Sequence, residues 1–75
     1  MFYVNDKVRF VKGSLKGKVG TVIDIVRGWN FIERQFIEER GLLIKVDSGF
    51  IIKEKVLDSI IVEKYQYDLI DKIYE

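Results

Sequence analysis

Alternating polar and apolar residues predict two half-buried strands. In Lys7 to Val11, Val8 and Phe10 share one side of an extended chain and charged side chains share the other. Residues 41 to 47 alternate in the same way and place three apolar side chains on one face: Leu42, Ile44 and Val46. We therefore predict strand one at 7–11 and strand three at 41–47.

Between these strands lie a glycine-containing loop and a second strand. Lys12 to Gly17 holds two glycines around a serine, which is typical of a tight connection, and we expect Leu15 to point inward. Lys18 to Val26 is rich in valine, isoleucine and threonine, which strands prefer. We predict strand two over that range. Both alternating sets of positions contain apolar residues, so the pattern does not identify which face points inward.

The second half of the chain predicts a hairpin followed by a short final strand. Asp47-Ser48-Gly49 is typical of a turn, and Phe50 to Lys53 would form strand four, paired with strand three. Val56 to Ser59 predicts one helical turn, because Asp and Ser favour local backbone hydrogen bonds. Ile60 to Glu63 would be strand five.

The segment 27–41 is long for a hairpin loop. Asn30 with Glu33 resembles a capping box, and Arg34 with Glu38 forms an i,i+4 pair, so the pattern slightly favours a short helix. The alternative is a pair of strand extensions that form a long projecting hairpin. Both interpretations remain open from the sequence.

The tail, residues 64–75, has the spacing of an amphipathic helix. Asp68 and Lys72 stand four residues apart, and so do successive members of an apolar set: Tyr65, Leu69 and Ile73. This face would cover an open end of the domain or form a dimer seam. We expect one domain, with residues 64–75 as a helical extension of residues 1–63.

Composition limits the classes of function. With 75 residues there is room for one domain, and 48% hydrophobic residues indicate a globular core. The chain has no histidine and no cysteine, so we expect no enzyme activity, no cofactor and no metal site. No stretch is typical of a signal peptide or a membrane span, and we expect a soluble, cytoplasmic protein with no membrane partner.

Positive charge is concentrated in the first 27 residues. The net charge of the whole chain is +1, but residues 1–27 hold two acids, Asp6 and Asp24, against six cations: Lys7, Arg9, Lys12, Lys16, Lys18 and Arg27. A strand-loop-strand hairpin would project several of these cations from one edge, where they could hold phosphates. Alternatively, they form a solvated edge that discourages strand aggregation.

The segment 27–41 also carries three large aromatic side chains, Trp29, Phe31 and Phe36. They either pack onto the domain as a satellite core or remain exposed as anchors for a protein partner or as platforms for base stacking. Trp29, beside Gly28 and Arg27, is the best single anchor.

Residues 5–22 resemble a KOW motif. Its hallmarks are an Asp-x-Val opening, a glycine before a hydrophobic-Lys-Gly loop, and a Gly-x-Val step in the second strand. All of them stand in this chain: Asp6 and Val8, Gly13, Leu15-Lys16-Gly17, and Gly20-Thr21-Val22. The turn at 47–49 and the segment 56–60 also resemble the hairpin and the final turn-plus-strand of SH3-like barrels that carry this motif.

The resemblance implies an all-β fold: a five-stranded SH3-like barrel, here with a short insertion between strands two and three and a C-terminal helix. Such barrels occur in KOW-bearing ribosomal proteins and in elongation factors of the NusG class, where they bind RNA, DNA or proteins without catalysis. The insertion at 27–40 and the tail after Glu63 depart from the family pattern.

These observations lead to two functional hypotheses. The first is a nucleic-acid or ribonucleoprotein binding module that uses Arg9, Lys12, Lys16, Lys18, Arg27 and Trp29. The second is a protein-interaction or regulatory adaptor, of the kind that a phage or mobile element encodes, that binds its partner through Trp29, Phe31 and Phe36.

Overall fold

The computed structural model describes residues 1–74. Its five strands form one antiparallel sheet in the order β4-β3-β2-β1-β5, and a 3-10 helix, Lys64–Leu69, lies between the last two strands in the chain. The strands are β1 (Lys7–Phe10), β2 (Val19–Asn30), β3 (Gln35–Ile52), β4 (Lys55–Glu63) and β5 (Ile70–Lys72). The all-β prediction is confirmed, but the sheet is open and does not close into a barrel. Within residues 1–74, no helix is long and apolar enough to cross a membrane.

One apolar cluster forms the core. Val8 and Phe10 of β1 are buried, as the alternation in that strand predicts, and Leu15 of the following loop packs against the cluster. The other buried members come from the remaining strands: Val22, Leu42, Ile44, Val46, Phe50, Val62 and Ile70. The predicted face of strand three is therefore confirmed, and burial of these side chains stabilises the sheet.

The segment 27–41 is a projecting hairpin, so the slightly favoured helix is wrong. β2 and β3 continue past the core, with Trp29 opposite Phe36, and enclose the turn 31–34. Asn30 accepts hydrogen bonds on Oδ1 from the backbone N–H groups of Ile32 and Glu33, at 2.9 and 2.8 Å. The residues that resembled a helix cap thus stabilise a turn, because an Asn side chain satisfies either geometry.

The predicted hairpin at 47–49 lies instead at Lys53-Glu54. Gly49, with φ of 68°, belongs to a register irregularity between Lys45 and Phe50, and β3 runs through it to Ile52. Lys53 and Glu54 have φ of 49° and 66°, as a two-residue hairpin turn with both central residues left-handed requires. The Asp-Ser-Gly sequence therefore bends a strand without reversing it.

β4 and the tail also differ from the sequence prediction. The helical turn at 56–59 is wrong, since β4 is a continuous nine-residue strand. The C-terminal helix is a single short 3-10 segment, after which β5 pairs with β1 and buries Ile70. Asp68 and Lys72 contact Lys12 and Asp6 rather than each other, because the chain is extended after Leu69.

Candidate functional site: a basic loop and an aromatic hairpin tip

The basic loop, residues 11–18, connects β1 to β2. Two backbone hydrogen bonds hold the loop closed. The N–H of Gly17 donates to the carbonyl oxygen of Phe10 at 2.8 Å, and the N–H of Lys18 donates to the carbonyl oxygen of Leu15 at 2.9 Å. Gly13 and Gly17 have φ of 80° and 92°, a left-handed conformation that glycine adopts without strain. With Leu15 held against the core, Lys12 and Lys16 are exposed, whereas Lys18 is half-buried.

Some of the predicted cations in this region are free of carboxylates. Lys12 Nζ lies 3.4 Å from Asp68 Oδ2, and both side chains are more than 60% exposed, so the pair contributes little to stability. Across residues 1–74, Arg9, Lys16 and Lys18 form no ion pair within 4 Å. Arg9 stands opposite Asp71 in the register of β1 and β5, and Lys18 is half-buried, so the exposed Lys16 is the cation of this set most available to an anion.

Arg27 does not lie in the basic loop. It lies on the projecting part of β2, near the irregularity between Val26 and Gly28. Its Nη1 lies 3.5 Å from Glu38 Oε2 across the hairpin, and both side chains are exposed. The structure therefore separates this cation from the loop lysines.

The aromatic tip is the projecting end of the β2–β3 hairpin, residues 29–36. Trp29 is 48% exposed, Phe36 is 63% exposed, and Phe31 in the turn is 83% exposed. None of these side chains belongs to the core cluster or packs directly against it. The tip is therefore an exposed apolar surface, which is the arrangement expected of a binding surface.

An open groove of about 270 Å³ lies beside the tip. Trp29, Phe31 and Ile32 line one part of it, and Tyr65 of the 3-10 helix, which is 74% exposed, lines another. Its polar lining includes Arg40, Glu63 and Lys64. The groove thus combines aromatic surface with two cations and one acid.

The 3-10 helix links the two candidate surfaces. At its C-terminal end, Asp68 contacts Lys12, and the carbonyl of Leu69 accepts a hydrogen bond of 2.8 Å from the backbone N–H of Val11. At its N-terminal end, Lys64 and Tyr65 line the groove with the aromatic tip. Six residues with a rise of about 2 Å each separate the two surfaces by roughly 12 Å of helix.

Two buried polar atoms, one of them on this helix, lack a hydrogen-bond partner among residues 1–74. Arg40 Nε is 3.3 Å from Glu63 Oε2 but lacks a hydrogen bond of good geometry, and the Tyr67 hydroxyl is buried without a hydrogen-bond partner among residues 1–74. Burial, followed by the negative charge of Glu39, raises the pKa of Tyr67 above its ordinary value. The ring of Tyr67 packs edge-on against Phe2, with centroids 5.3 Å apart, and supports the helix.

Sequence reasoning missed Arg40, Lys64 and the role of Tyr65 at the groove. The four-residue spacing of the tail assigned Tyr65 to a helical face together with Leu69, whereas in the 3-10 helix Leu69 packs against the core and Tyr65 is exposed. The aromatic residues of segment 29–36 were the signal in the sequence for a groove at this place. Nothing in the local sequence places Arg40 beside it.

Residues 1–74 contain no cluster of three or more acidic, histidine or cysteine side chains that could hold a metal ion. The chain matches no protein-family model, and neither characterised proteins nor solved structures show significant similarity to it.

Proposed function

We propose that this protein is a non-enzymatic binding module that contacts nucleic acid through its basic loop. The observation that carries the proposal is the exposure of Lys12 and Lys16 on one closed loop, with the half-buried Lys18 at its end. Lys16 and Lys18 have no ion-pair partner in residues 1–74. A cluster of free ammonium groups binds phosphates with release of counterions. Because the Lys12–Asp68 ion pair is exposed and weak, a phosphate can displace Asp68 from Lys12 at a small cost in free energy.

The resemblance to a KOW motif supports the same proposal. The residues that carry it span β1, the basic loop and the start of β2, so the lysine of the hydrophobic-Lys-Gly sequence, Lys16, belongs to the exposed loop. The structure itself is one open antiparallel sheet of five strands, in which a short last strand pairs with β1. On this proposal the sheet is an incompletely closed relative of an SH3-like barrel.

The aromatic tip supplies a second set of contacts for the same ligand. A single strand that binds the basic loop could follow the 3-10 helix for roughly 12 Å and reach Trp29 and Tyr65. Aromatic faces stack on unpaired bases of any sequence, and each such contact is worth about 1–3 kcal/mol. We therefore propose single-stranded RNA or DNA as the ligand, with little sequence preference.

A salt titration with fluorescent single-stranded and duplex oligonucleotides tests the proposal. Lys16→Glu should weaken binding and reduce the slope of log affinity against log salt, because it removes one phosphate contact and introduces repulsion. Lys53→Glu is the matched control, since it makes the same change of charge in the β3–β4 turn, outside the basic loop. If no oligonucleotide binds at low salt, or if both variants lose affinity equally, the proposal fails.

A protein partner is the second candidate, because Phe31 and Ile32 are each more than 80% exposed at the tip of a hairpin. Apolar anchors of this kind bind by desolvation, so affinity for such a partner would survive moderate salt. Trp29→Ala should abolish capture of that partner, whereas Lys16→Glu should leave it intact. The reverse result would favour nucleic acid.

A further inference from the structure

The end of β3 has a free edge on one side. The pairing of β3 with β2 stops at Val46, opposite Gly20, so β2 does not reach residues 47–52. Residues 50–52 pair with β4 alone, and among residues 1–74 no backbone hydrogen bond outside the regular ladders reaches residues 47–52. Unpaired strand edges of this kind bind other extended chains. Residues 50–52 therefore offer one side to a further strand.

Ile51 directs its backbone hydrogen-bonding groups toward this free side. Residues 53–54 form a two-residue turn, so Ile52 and Lys55, which flank it, exchange backbone hydrogen bonds. Hydrogen-bonded and non-hydrogen-bonded pairs alternate along an antiparallel ladder, so in the next pair, Ile51 with Val56, the N–H and C=O of Ile51 point away from β4. Ile51 is 70% exposed, so a second chain can approach these groups.

An open groove of about 350 Å³ lies at this segment. Ile51 and Val56, which stand opposite each other on β3 and β4, both line the groove, and Val56 is 78% exposed. Ser48, Gly49 and Phe50 also line it. The groove therefore places exposed aliphatic surface next to the free backbone groups of Ile51.

Lys18 gives the groove a positive charge. It is half-buried, and among residues 1–74 no carboxylate lies within 4 Å of its ammonium group. No acidic residue of the described chain lines the groove. An anion held here would pair with Lys18 in partly dehydrated surroundings, where an ion pair is stronger than on an open surface. The groove is therefore complementary to a negative charge carried beside apolar groups.

We propose that this groove is a docking site for an extended peptide of a partner protein, in which an acidic residue stands next to aliphatic residues. The peptide adds a short strand to the free edge of β3 and exchanges two backbone hydrogen bonds with Ile51. Its carboxylate pairs with Lys18, and its aliphatic side chains cover Ile51 and Val56. Backbone hydrogen bonds supply affinity in such a complex, and side-chain contacts supply selectivity. The inference is independent of the proposed nucleic-acid function, which rests on the exposed Lys12 and Lys16.

A nucleic acid matches this groove less well than a peptide does. Its phosphates can pair with Lys18, but the exposed lining is aliphatic, and the one aromatic side chain that lines the groove, Phe50, is only 5% exposed. Bases therefore lack an aromatic face on which to stack. A nucleic-acid backbone also has no N–H and C=O groups to pair with those of Ile51.

An NMR titration of the full chain with the capped peptide acetyl-Thr-Leu-Glu-Leu-Thr-amide tests the proposal. The glutamate is the only charged group of this probe. We expect its addition to shift the amide signals of residues 48–51. A twin peptide with glutamine in place of glutamate should bind about fivefold more weakly, because it cannot form the ion pair. If neither peptide shifts these signals at millimolar concentration, or if both bind equally well, the proposal is overturned.

The variant Lys18→Gln identifies the cation that the peptide uses. It should bind the two peptides with equal affinity, because the carboxylate has lost its partner. Lys16→Gln makes the same change on the exposed part of the loop and should keep the fivefold preference for glutamate. A preference that survives in Lys18→Gln overturns the proposal. If Lys18→Gln does not fold, the two peptides still discriminate on the wild-type chain.

Solvent exchange of the Ile51 amide tests the strand addition itself. Saturation with the glutamate peptide should slow this exchange, whereas the amide of Ile52, which already donates to Lys55, should change little. Ile51→Ser should weaken binding by about threefold, and Ile32→Ser, the same change at a side chain that is 82% exposed on the other hairpin, should not.

An unchanged exchange rate at Ile51 contradicts the added strand. Two further outcomes assign the groove to a different occupant and also overturn the proposal. In one, a single-stranded oligonucleotide shifts the signals of residues 48–51 at lower concentration than the peptide does. In the other, these signals shift with protein concentration alone, which would indicate a second copy of the chain.

Discussion

The middle and the end of the β2–β3 hairpin differ sharply although they belong to the same two strands. In the middle, Val22 lies opposite Ile44 and both side chains are completely buried. At the end, Trp29 lies opposite Phe36 and both remain about half exposed or more. Cross-strand pairing is therefore present in both regions, but burial is present in only one.

The difference shows that a ladder of hydrogen bonds does not bury side chains by itself. In the middle, the inner side chains of the hairpin pack in one cluster with Phe10 of β1, Ile70 of β5 and Leu15 of the basic loop. The end of the hairpin extends beyond those elements. The middle should thus determine stability and the end should determine binding.

The largest effect is expected in the middle. Leu42→Ala removes a fully buried side chain and should lower the free energy of unfolding by about 2–5 kcal/mol. Phe31→Ala removes a larger side chain that is 83% exposed and should change it by less than about 0.5 kcal/mol. Urea denaturation measures both, and similar losses would contradict the division.

The second-largest effect on stability is expected at Gly41, where β3 and β4 approach each other closely. A Cβ at Gly41 would clash with the carbonyl oxygen of Val62, so Gly41→Ala forces β3 and β4 apart and should lower the free energy of unfolding by about 1–3 kcal/mol. Gly17→Ala adds a methyl group in open space and strains only its left-handed φ, at about 1 kcal/mol. Thermal denaturation should therefore give a lower Tm for Gly41→Ala than for Gly17→Ala.

A glycine in place of Glu54 in the β3–β4 turn should stabilise the protein. Glu54 has φ of 66°, a conformation that costs a non-glycine residue about 1–2 kcal/mol. Glu54→Gly relieves this strain, partly offset by the greater freedom of glycine in the unfolded chain, and should raise the free energy of unfolding by about 0.5 kcal/mol. Glu33→Gly, at a position without positive φ, serves as the control and should not stabilise.

The smallest effect is a change in acid sensitivity. The backbone N–H of Tyr3 donates to the Asp6 carboxylate at 2.7 Å, and Lys72 Nζ lies 3.0 Å from it, so the pKa of Asp6 is lowered from 3.8. Its stabilisation is complete above pH 3.8 and is lost as the pH falls through the lower folded pKa. Asp6→Asn should make the acid limb of stability shallower, and Asp24→Asn should serve as the control.

The sequence determined the parts of the fold whose signals are local. The alternation around Val8 and Phe10, and around Ile44, identified two strands and their inward faces, because a side-chain period of two follows from strand geometry alone. The glycines of residues 12–17 likewise identified the basic loop. The exposed candidates for binding, the loop lysines and the aromatic residues of 29–36, could also be named from the sequence.

Only the tertiary structure decided where the strands end and which turns reverse the chain. Asn30 with Glu33 fits a helix cap and a turn equally well, and the pairing of β2 with β3 up to Asn30 and Gln35 favours the turn. Lys64 to Lys72 has helical spacing, but the structure contains one 3-10 helix followed by β5. This arrangement pairs the second edge of β1 with β5 and buries Ile70, which a continuous helix would not do. Pairing of distant strands removes more apolar surface and backbone from water than an isolated helix of this length, and no local pattern records that gain.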